Sequence, residues 1–341
     1  MLRRLITLTL LFVVFSGIAV VADFRGFLKQ PINLGDDTLL FEISPGVSLK
    51  QVTNDLYNRG LLSRPWYWQI LARVKGQAEE IKAGEYRLED PVTPGQLLDQ
   101  FVTGKTVQYS LTLLEGWTFE QVLELLAQHP QIEHTLTKEI NLMAILGVPD
   151  MSPEGWFYPD TYHFPNGTTD VDLLKRSHAF MKKRLQEEWQ ARVQDLPLKT
   201  SYEALTLASI VEKETAVADE RSKIAAVFLS RLEKGMRLQT DPTVIYGLGG
   251  DFDGDITYRN LRHDTPYNTY LHKGLTPTPI AMPGGESLHA VLNPANIEAL
   301  YFVAKGDGSH HFSKTYKEHR KAVIKYQLHG KERRYRSQAQ R

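Results

Sequence analysis

Polar and apolar positions along the chain fall into three regimes, each predicting a different kind of structure. From Leu5 to Ala22 the sequence is uncharged and rich in Leu, Ile, Val and Phe, mildly interrupted by Thr7, Thr9, Ser16 and Gly17. At ~1.5 Å per residue such a run spans about 27 Å, close to the ~30 Å hydrocarbon core of a bilayer. Arg3 and Arg4 precede it, which places residues 1–4 in the cytoplasm and everything after Asp23 outside. A cleaved signal peptide is the competing reading, with Val20 and Ala22 before the cut. Signal h-regions are shorter than this run, which favours an uncleaved anchor over 5–22. Residues 23–37 carry Gly, Pro and Asp without periodicity and read as a juxtamembrane linker.

Over residues 38–108 the period alternates. "TLLFEIS" is strand-like, Ser48 opens the helical "LKQVTNDLYNRG", a second helix runs from Ser63 to about Val74, "KAGEYRL" is a short strand, and "TPGQLLDQFVTG" is a capped helix ending at Gly104. From 109 to 341 one larger unit follows. It holds the strand "YSLTLLEG", a helix capped by Thr118, an aromatic and proline-rich loop at 152–165, and a long helix with Asp170 as its candidate cap. An amphipathic helix is expected from Asp219 to Lys234, stopped by Gly235. "MRLQTDPTVIYGLGG" and "TPYNTYLHKGLTPTPIAMPG" read as loops, where binding sites concentrate, and a hairpin is expected over Gly306, Asp307 and Gly308.

Composition then removes whole classes of function. With 40 Lys plus Arg against 40 Asp plus Glu, no basic footprint for nucleic acid is present. The absence of cysteine excludes disulfides, thiolate catalysis and cysteine metal sites, and fits a bacterial periplasm. "DFDGDI" at 251–256 alternates aspartates, yet glycine stands fourth instead of sixth and Arg262 occupies the twelfth position, so it fails the calcium-loop pattern. His310 and His311 are adjacent, point to opposite faces of a strand, and cannot chelate one ion together. No metal and no cofactor is expected.

The remaining candidate chemistry lies in "LASIVEKETA", which carries Glu212 and Glu214. On a helical wheel Ala204, Leu207, Ala208, Ile210 and Val211 gather on one side. Glu214 lies roughly 50° from the centre of that face, Glu212 about 110° away and Lys213 about 150° away. A carboxyl closing an apolar row is desolvated, its pKa rises, and it becomes a competent general acid near neutrality. A helix-end glutamate paired with Arg or Lys is the alternative. Residues two apart face away from each other, so the two glutamates cannot flank one bond.

"EGWFYPDTY", "LASIVEKETA", "RLQTDPTVIYG", "YNTY" and "ALYFV…GDGSHHFS", in this order within a similarity that runs from about residue 40 to about 325, resemble the YceG-like endolytic murein transglycosylases. The resemblance implies an α+β chain: an inner-membrane anchor with its N-terminus cytoplasmic, a small LysM-like α/β module, and a mainly helical, lysozyme-like catalytic domain with loop and short-strand insertions. It aligns the family's acid with Glu214 and implies a lyase that cuts N-acetylmuramyl-β-1,4-N-acetylglucosamine bonds inside peptidoglycan glycan strands without adding water. Glycan polymerases at the inner membrane are the implied partners. Gln239, Asp241, Tyr246, Asn268 and Tyr270 are the candidate contacts to the sugars, against the alternative that they satisfy their own turns. The 38–108 module binds glycan or only spaces the catalytic part from the membrane. A hydrolytic muramidase would need a second carboxylate, for which Asp160 and Asp241 are candidates, and a glycan-binding scaffold would need no acid at all.

Overall fold

The computed structural model describes residues 2–35, 38–137 and 140–328. The end of the expected linker, 36–37, and the C-terminal part of the expected catalytic region, 329–341, lie outside the described residues. The chain divides into two compact units: one holds the residues up to Ser110 with His163–Gly167, the other Leu111–Tyr162 and the residues from Thr168 onward.

The first unit begins with α1 (Leu2–Lys29), a helix long and apolar enough to cross a membrane. It does not stop at residue 22 as the sequence suggested, because the expected linker finds partners that hold it helical. Asp23 is bonded by Arg64 and by the Tyr67 hydroxyl, and Phe27 is buried in the core. Beyond it come β1 (Thr38–Ile43), α2 (Leu49–Asn58), α3 (Pro65–Val74), β2 (Gly84–Glu89) and α4 (Pro94–Thr103). β1 and β2 pair antiparallel, with Phe41 opposite Tyr86. Phe41, Ile43, Tyr86 and Leu88 alternate with exposed neighbours, so one sheet face is apolar, and Trp68, Leu97, Leu98 and Phe101 from the helices cover it. Trp68 is fully buried and donates its indole N–H to the Pro94 carbonyl at 3.0 Å, and side chains of this size are worth about 1.5–3 kcal/mol each when buried. Ser48 and Thr93 close capping boxes with Gln51 and Gln96.

The chain continues through β3 (Tyr109–Thr112), α5 (Phe119–Gln128), β4 (Ile132–Glu133), α6 (Leu142–Ile145), β5 (Thr161–Phe164), β6 (Thr168–Thr169), α7 (Asp170–Gln190), α8 (Ser201–Glu214), α9 (Ala218–Glu233), α10 (Asp241–Leu248), α11 (Tyr258–Leu261), α12 (Gly285–Leu292), β7 (Tyr301–Ala304), β8 (His310–Ser313) and α13 (Tyr316–Tyr326). Every sheet among the described residues is two-stranded, and the expected hairpin is present as the antiparallel pair β7 and β8. α8 is the hub of the second unit: Ala204 to Val211 are all buried, packed by α7, α9, α10 and α12. Even the polar members of this stretch are satisfied internally, Ser209 donating to the Thr206 carbonyl and accepting from Ile280 N–H.

Two expectations are corrected here. Thr169 caps α7, accepting from Asp172 N–H, while Asp170 turns back and binds the N–H groups of Thr135 and Leu136. The segment from Asp241 to Leu248 is a helix, not a loop; Pro242 in its first turn costs nothing there because that N–H would be unpaired anyway. In the aromatic loop, Gly155 takes φ +80°, and a Cβ on it would stand 2.5 Å from Pro279 Cβ, so glycine is required twice over.

Candidate active site

Glu214 is the last residue of α8, where the buried helix opens into a cleft of about 490 Å³. Its Oε2 accepts a hydrogen bond from Thr240 Oγ1 at 2.6 Å. Thr240 is itself fixed: its N–H donates to Thr269 Oγ1 at 3.1 Å, its carbonyl accepts from Thr243 Oγ1 at 2.8 Å, and the Thr243 and Thr269 hydroxyls lie 2.8 Å apart. All three threonines are buried, so the donor that orients Glu214 has little freedom. Burial pushes the Glu214 carboxyl up; the Thr240 bond opposes this, the neighbouring Asp241 adds to it, and His310 and Arg231 pull back. The position at a helix C-terminus also disfavours the charged form, since the negative end of the macrodipole lies there.

Glu212 has a different environment. Its side chain is 6% exposed, Oε2 accepts from Gly284 N–H at 2.9 Å, and Oε1 lies 3.8 Å from the Arg221 guanidinium. It is absent from the cleft wall. Lys213 is exposed and reaches the Gly116 carbonyl.

Of the five candidate sugar contacts, three reach the cleft. Gln239 is held at φ +51°, a left-handed conformation that costs a non-glycine residue roughly 1–2 kcal/mol and persists only where surroundings enforce it. Here Gln239 N–H donates to the Thr269 carbonyl. Asp241 opens α10 and accepts from the Tyr270 hydroxyl at 2.5 Å, and both line the cleft. The other two are placed elsewhere. Tyr246 donates to Glu154 Oε2 at 3.0 Å and packs edge-on against Tyr267. Asn268 is fully buried, donating to the Leu261 and His263 carbonyls and accepting from Tyr270 N–H, so it shapes the loop that presents Tyr270. Asp160 is outside the cleft wall as well, its carboxylate accepting from Thr161 N–H.

Residues 41–325 match the YceG-like family. The chain belongs to that family. It is 30% identical over 324 residues to the endolytic murein transglycosylase of Bacillus subtilis strain 168, with 88% of each chain covered. It is 27% identical over 320 residues to the endolytic murein transglycosylase of Streptococcus pneumoniae serotype 2, covering 83% of this chain and 57% of that relative. The crystal structure of a YceG-like protein from Listeria monocytogenes is similar with a TM-score of 0.53 and 30% identity, covering 83% of this chain and 98% of that one.

In this YceG-like chain the cleft wall also contains residues that sequence reasoning passed over. Arg231 is buried and donates to the Leu300 and Leu238 carbonyls at 2.7 and 2.6 Å, with its guanidinium 5.3 Å from the Tyr301 ring centroid. Tyr301 and His319 stack at 5.2 Å and 22°, offering a flat face to the cleft. His310 also lines it, its N–H 2.9 Å from Glu220 Oε1 and its Nδ1 2.7 Å from Glu220 Oε2. The carboxylate accepts both, so the proton sits on Nδ1 and Nε2 is the nitrogen left for other partners. "GDGSHHFS" carried a signal for His310, but a test for metal chelation is blind to a histidine oriented by one carboxylate.

Proposed function

We propose that the protein is a membrane-anchored endolytic lytic transglycosylase, a carbon–oxygen lyase that cuts N-acetylmuramyl-β-1,4-N-acetylglucosamine bonds inside peptidoglycan strands and leaves a 1,6-anhydro end. The observation that carries the reading is the half-buried Glu214 carboxyl, which lines an open cleft and is pushed up by desolvation, with Oε2 engaged by Thr240. Oε1 is then left to face the bond. Glu214 donates its proton to the bridging oxygen as the C1–O bond breaks, and an oxocarbenium-like centre develops at C1. The muramyl 6-hydroxyl closes onto C1, and its proton returns to the Glu214 carboxylate. One carboxyl serves as acid and then as base because the substrate supplies its own nucleophile. Gln239, Asp241 and Tyr270 offer polar contacts to the sugars, and the Tyr301–His319 stack offers an apolar face.

The rest of the arrangement is consistent with a site presented to a wall outside the membrane. α1 crosses the inner membrane once with Arg3 and Arg4 cytoplasmic, which the length and flank of its apolar run support. The order β1, α2, α3, β2 supports a LysM-like module near the membrane. Glycan polymerases there would be the partners, and cutting a nascent strand would end its elongation.

A second reading has one observation in its favour: Asp241 faces the same cleft as Glu214, as the second carboxylate of a muramidase would. Digestion of purified glycan strands in water enriched in heavy oxygen separates the two. We expect anhydro ends without label. A label at every new reducing end would overturn the lyase reading and make Asp241 catalytic.

A further inference from the structure

The apolar stretch of α1 ends at Ala22, and Asp23 is the first charged residue beyond it. Asp23 is gripped by the first turn of α3 and the residue before it: Arg64 pairs with its carboxylate and the Tyr67 hydroxyl donates to it at 2.8 Å. Phe24 meets the Tyr67 ring edge-on at 5.2 Å, and Phe27 lies 5.6 Å from the same ring. The start of α3 is therefore pinned to the turn of α1 that leaves the hydrocarbon. One face of α3, formed by Tyr67, Trp68, Leu71 and Ala72, is buried in the core. Its opposite face carries Trp66, Ile70 and Val74 at i, i+4 and i+8, which are 54, 40 and 80% exposed. Three apolar side chains in one exposed row on a ten-residue helix call for a partner. Arg73 is an exposed cation on α3 itself, and α1 carries the exposed Arg25 and Lys29 just beyond Asp23; Asp23 and Asp99 are paired with Arg64 and Lys75, and the exposed acids Glu79 and Glu80 follow the end of α3.

We propose that this face of α3 docks onto the lipid surface from which α1 emerges. Trp66, Ile70 and Val74 enter the boundary between headgroups and acyl chains, and Arg25, Lys29 and Arg73 meet anionic phospholipid phosphates. Indole is suited to this layer because its ring is apolar and its N–H is polar, and an amphipathic helix with a cationic border is the usual form of an interfacial anchor. The inference rests on α1 spanning the membrane. It adds that α1 is not a free tether: the first unit lies against the bilayer, with α3 as its second point of attachment.

The chain has no cysteine, so single spin labels can be placed without background. The full-length protein would be reconstituted in phosphatidylethanolamine–phosphatidylglycerol vesicles as Val14→Cys, Ile70→Cys, Val74→Cys and Glu79→Cys variants. Collision with oxygen, which partitions into lipid, is compared with collision with a water-soluble nickel chelate. We expect labels at 14, 70 and 74 to favour oxygen and the label at 79 to favour nickel. If 14 favours oxygen while 70 and 74 behave like 79, the docking is wrong and the anchor stands. If 14 also favours nickel, the spanning helix and the docking fall together. Shielding of 70 and 74 from both reagents would mean that protein, such as a second copy, covers the row, and would overturn the lipid assignment.

Discussion

Glu214→Gln and Glu212→Gln place the same chemical change two residues apart and should fail in different ways. Gln at 214 keeps the shape and can still accept from Thr240 Oγ1, but it has no carboxylic proton to give. Loss of general-acid catalysis is worth ~10²–10⁴ in rate, or roughly 3–5 kcal/mol of barrier. Stability should not fall. The Glu214 pKa is raised on folding, so its contribution favours the native state at low pH and is lost as pH rises through the folded value; the neutral amide removes that loss. At 212 the balance reverses. The amide still accepts from Gly284 N–H, while Arg221, 13% exposed, loses the closer of its two carboxylates and keeps only Glu115 at 3.9 Å. Leaving a nearly buried cation underpaired costs about 1–3 kcal/mol, at ~2–4 °C of melting temperature per kcal/mol for a unit of this size. Turnover of glycan strands, followed by muropeptide mass spectrometry alongside thermal melts, reads both quantities. The reasoning is refuted if Glu214→Gln retains near-normal turnover, or if both variants are equally inactive and equally stable.

Three further outcomes can be checked. Thr240→Val removes a donor that favours the charged form of Glu214, so the alkaline limb of the pH–kcat/KM profile should move to higher pH; an unmoved limb would mean that Thr240 does not tune the acid. Asp241→Asn should keep forming anhydro ends at a rate far above that of Glu214→Gln, measured in the same digest, since the lyase route asks no second carboxylate to act. Glu154 is buried beside Tyr246, and burial pushes its carboxyl to about 7 against the opposing bonds from Tyr246 and Phe119, so it favours the folded state below pH 4.5 and loses that contribution as pH rises through 7. Urea titrations should therefore show Glu154→Gln gaining on the unmodified chain by roughly 3 kcal/mol between those limits, and a pH-independent difference would disprove the buried titration.

The sequence and the structure agree where local pattern decides the outcome. "TLLFEIS" and "KAGEYRL" hold the strands β1 and β2, and Thr118 caps α5. They part where the outcome depends on chain brought in from afar. The helical wheel assumes one dry side, yet α8 is wrapped on all sides from Ala204 to Val211, so it buries Glu212 as well as Glu214 and only the partners tell them apart. Thr240 and Thr269 lie 26 and 55 residues beyond Glu214, and no local rule brings them together. Tyr246 and Asn268 have the composition of sugar contacts, but their polar atoms are consumed by Glu154 and by loop carbonyls. α10 was the avoidable miss, since Asp241 followed by Pro242 is a helix-start signal.

The corner between α8 and α9 explains how one short stretch can shift two carboxyls in opposite directions. Glu214 ends α8, where the negative pole of the helix faces it, and its burial goes unrelieved by any ion pair among the described residues; both effects favour the neutral acid. Glu220, six residues on, lies in the first turn of α9, where unpaired N–H groups and the positive pole favour an anion. Burial alone would push Glu220 up, but the His310 N–H and ring outweigh it and hold the carboxyl below its ordinary range. One helix end thus shifts the carboxyl at the cleft toward its neutral form, while the next helix start favours the carboxylate that holds His310 in the same wall. Environments that drive two neighbouring carboxyls apart are how one site keeps an acid protonated beside a permanent anion at a single pH. Here the separation depends on the three-residue corner 215–217 and the two helix poles that flank it.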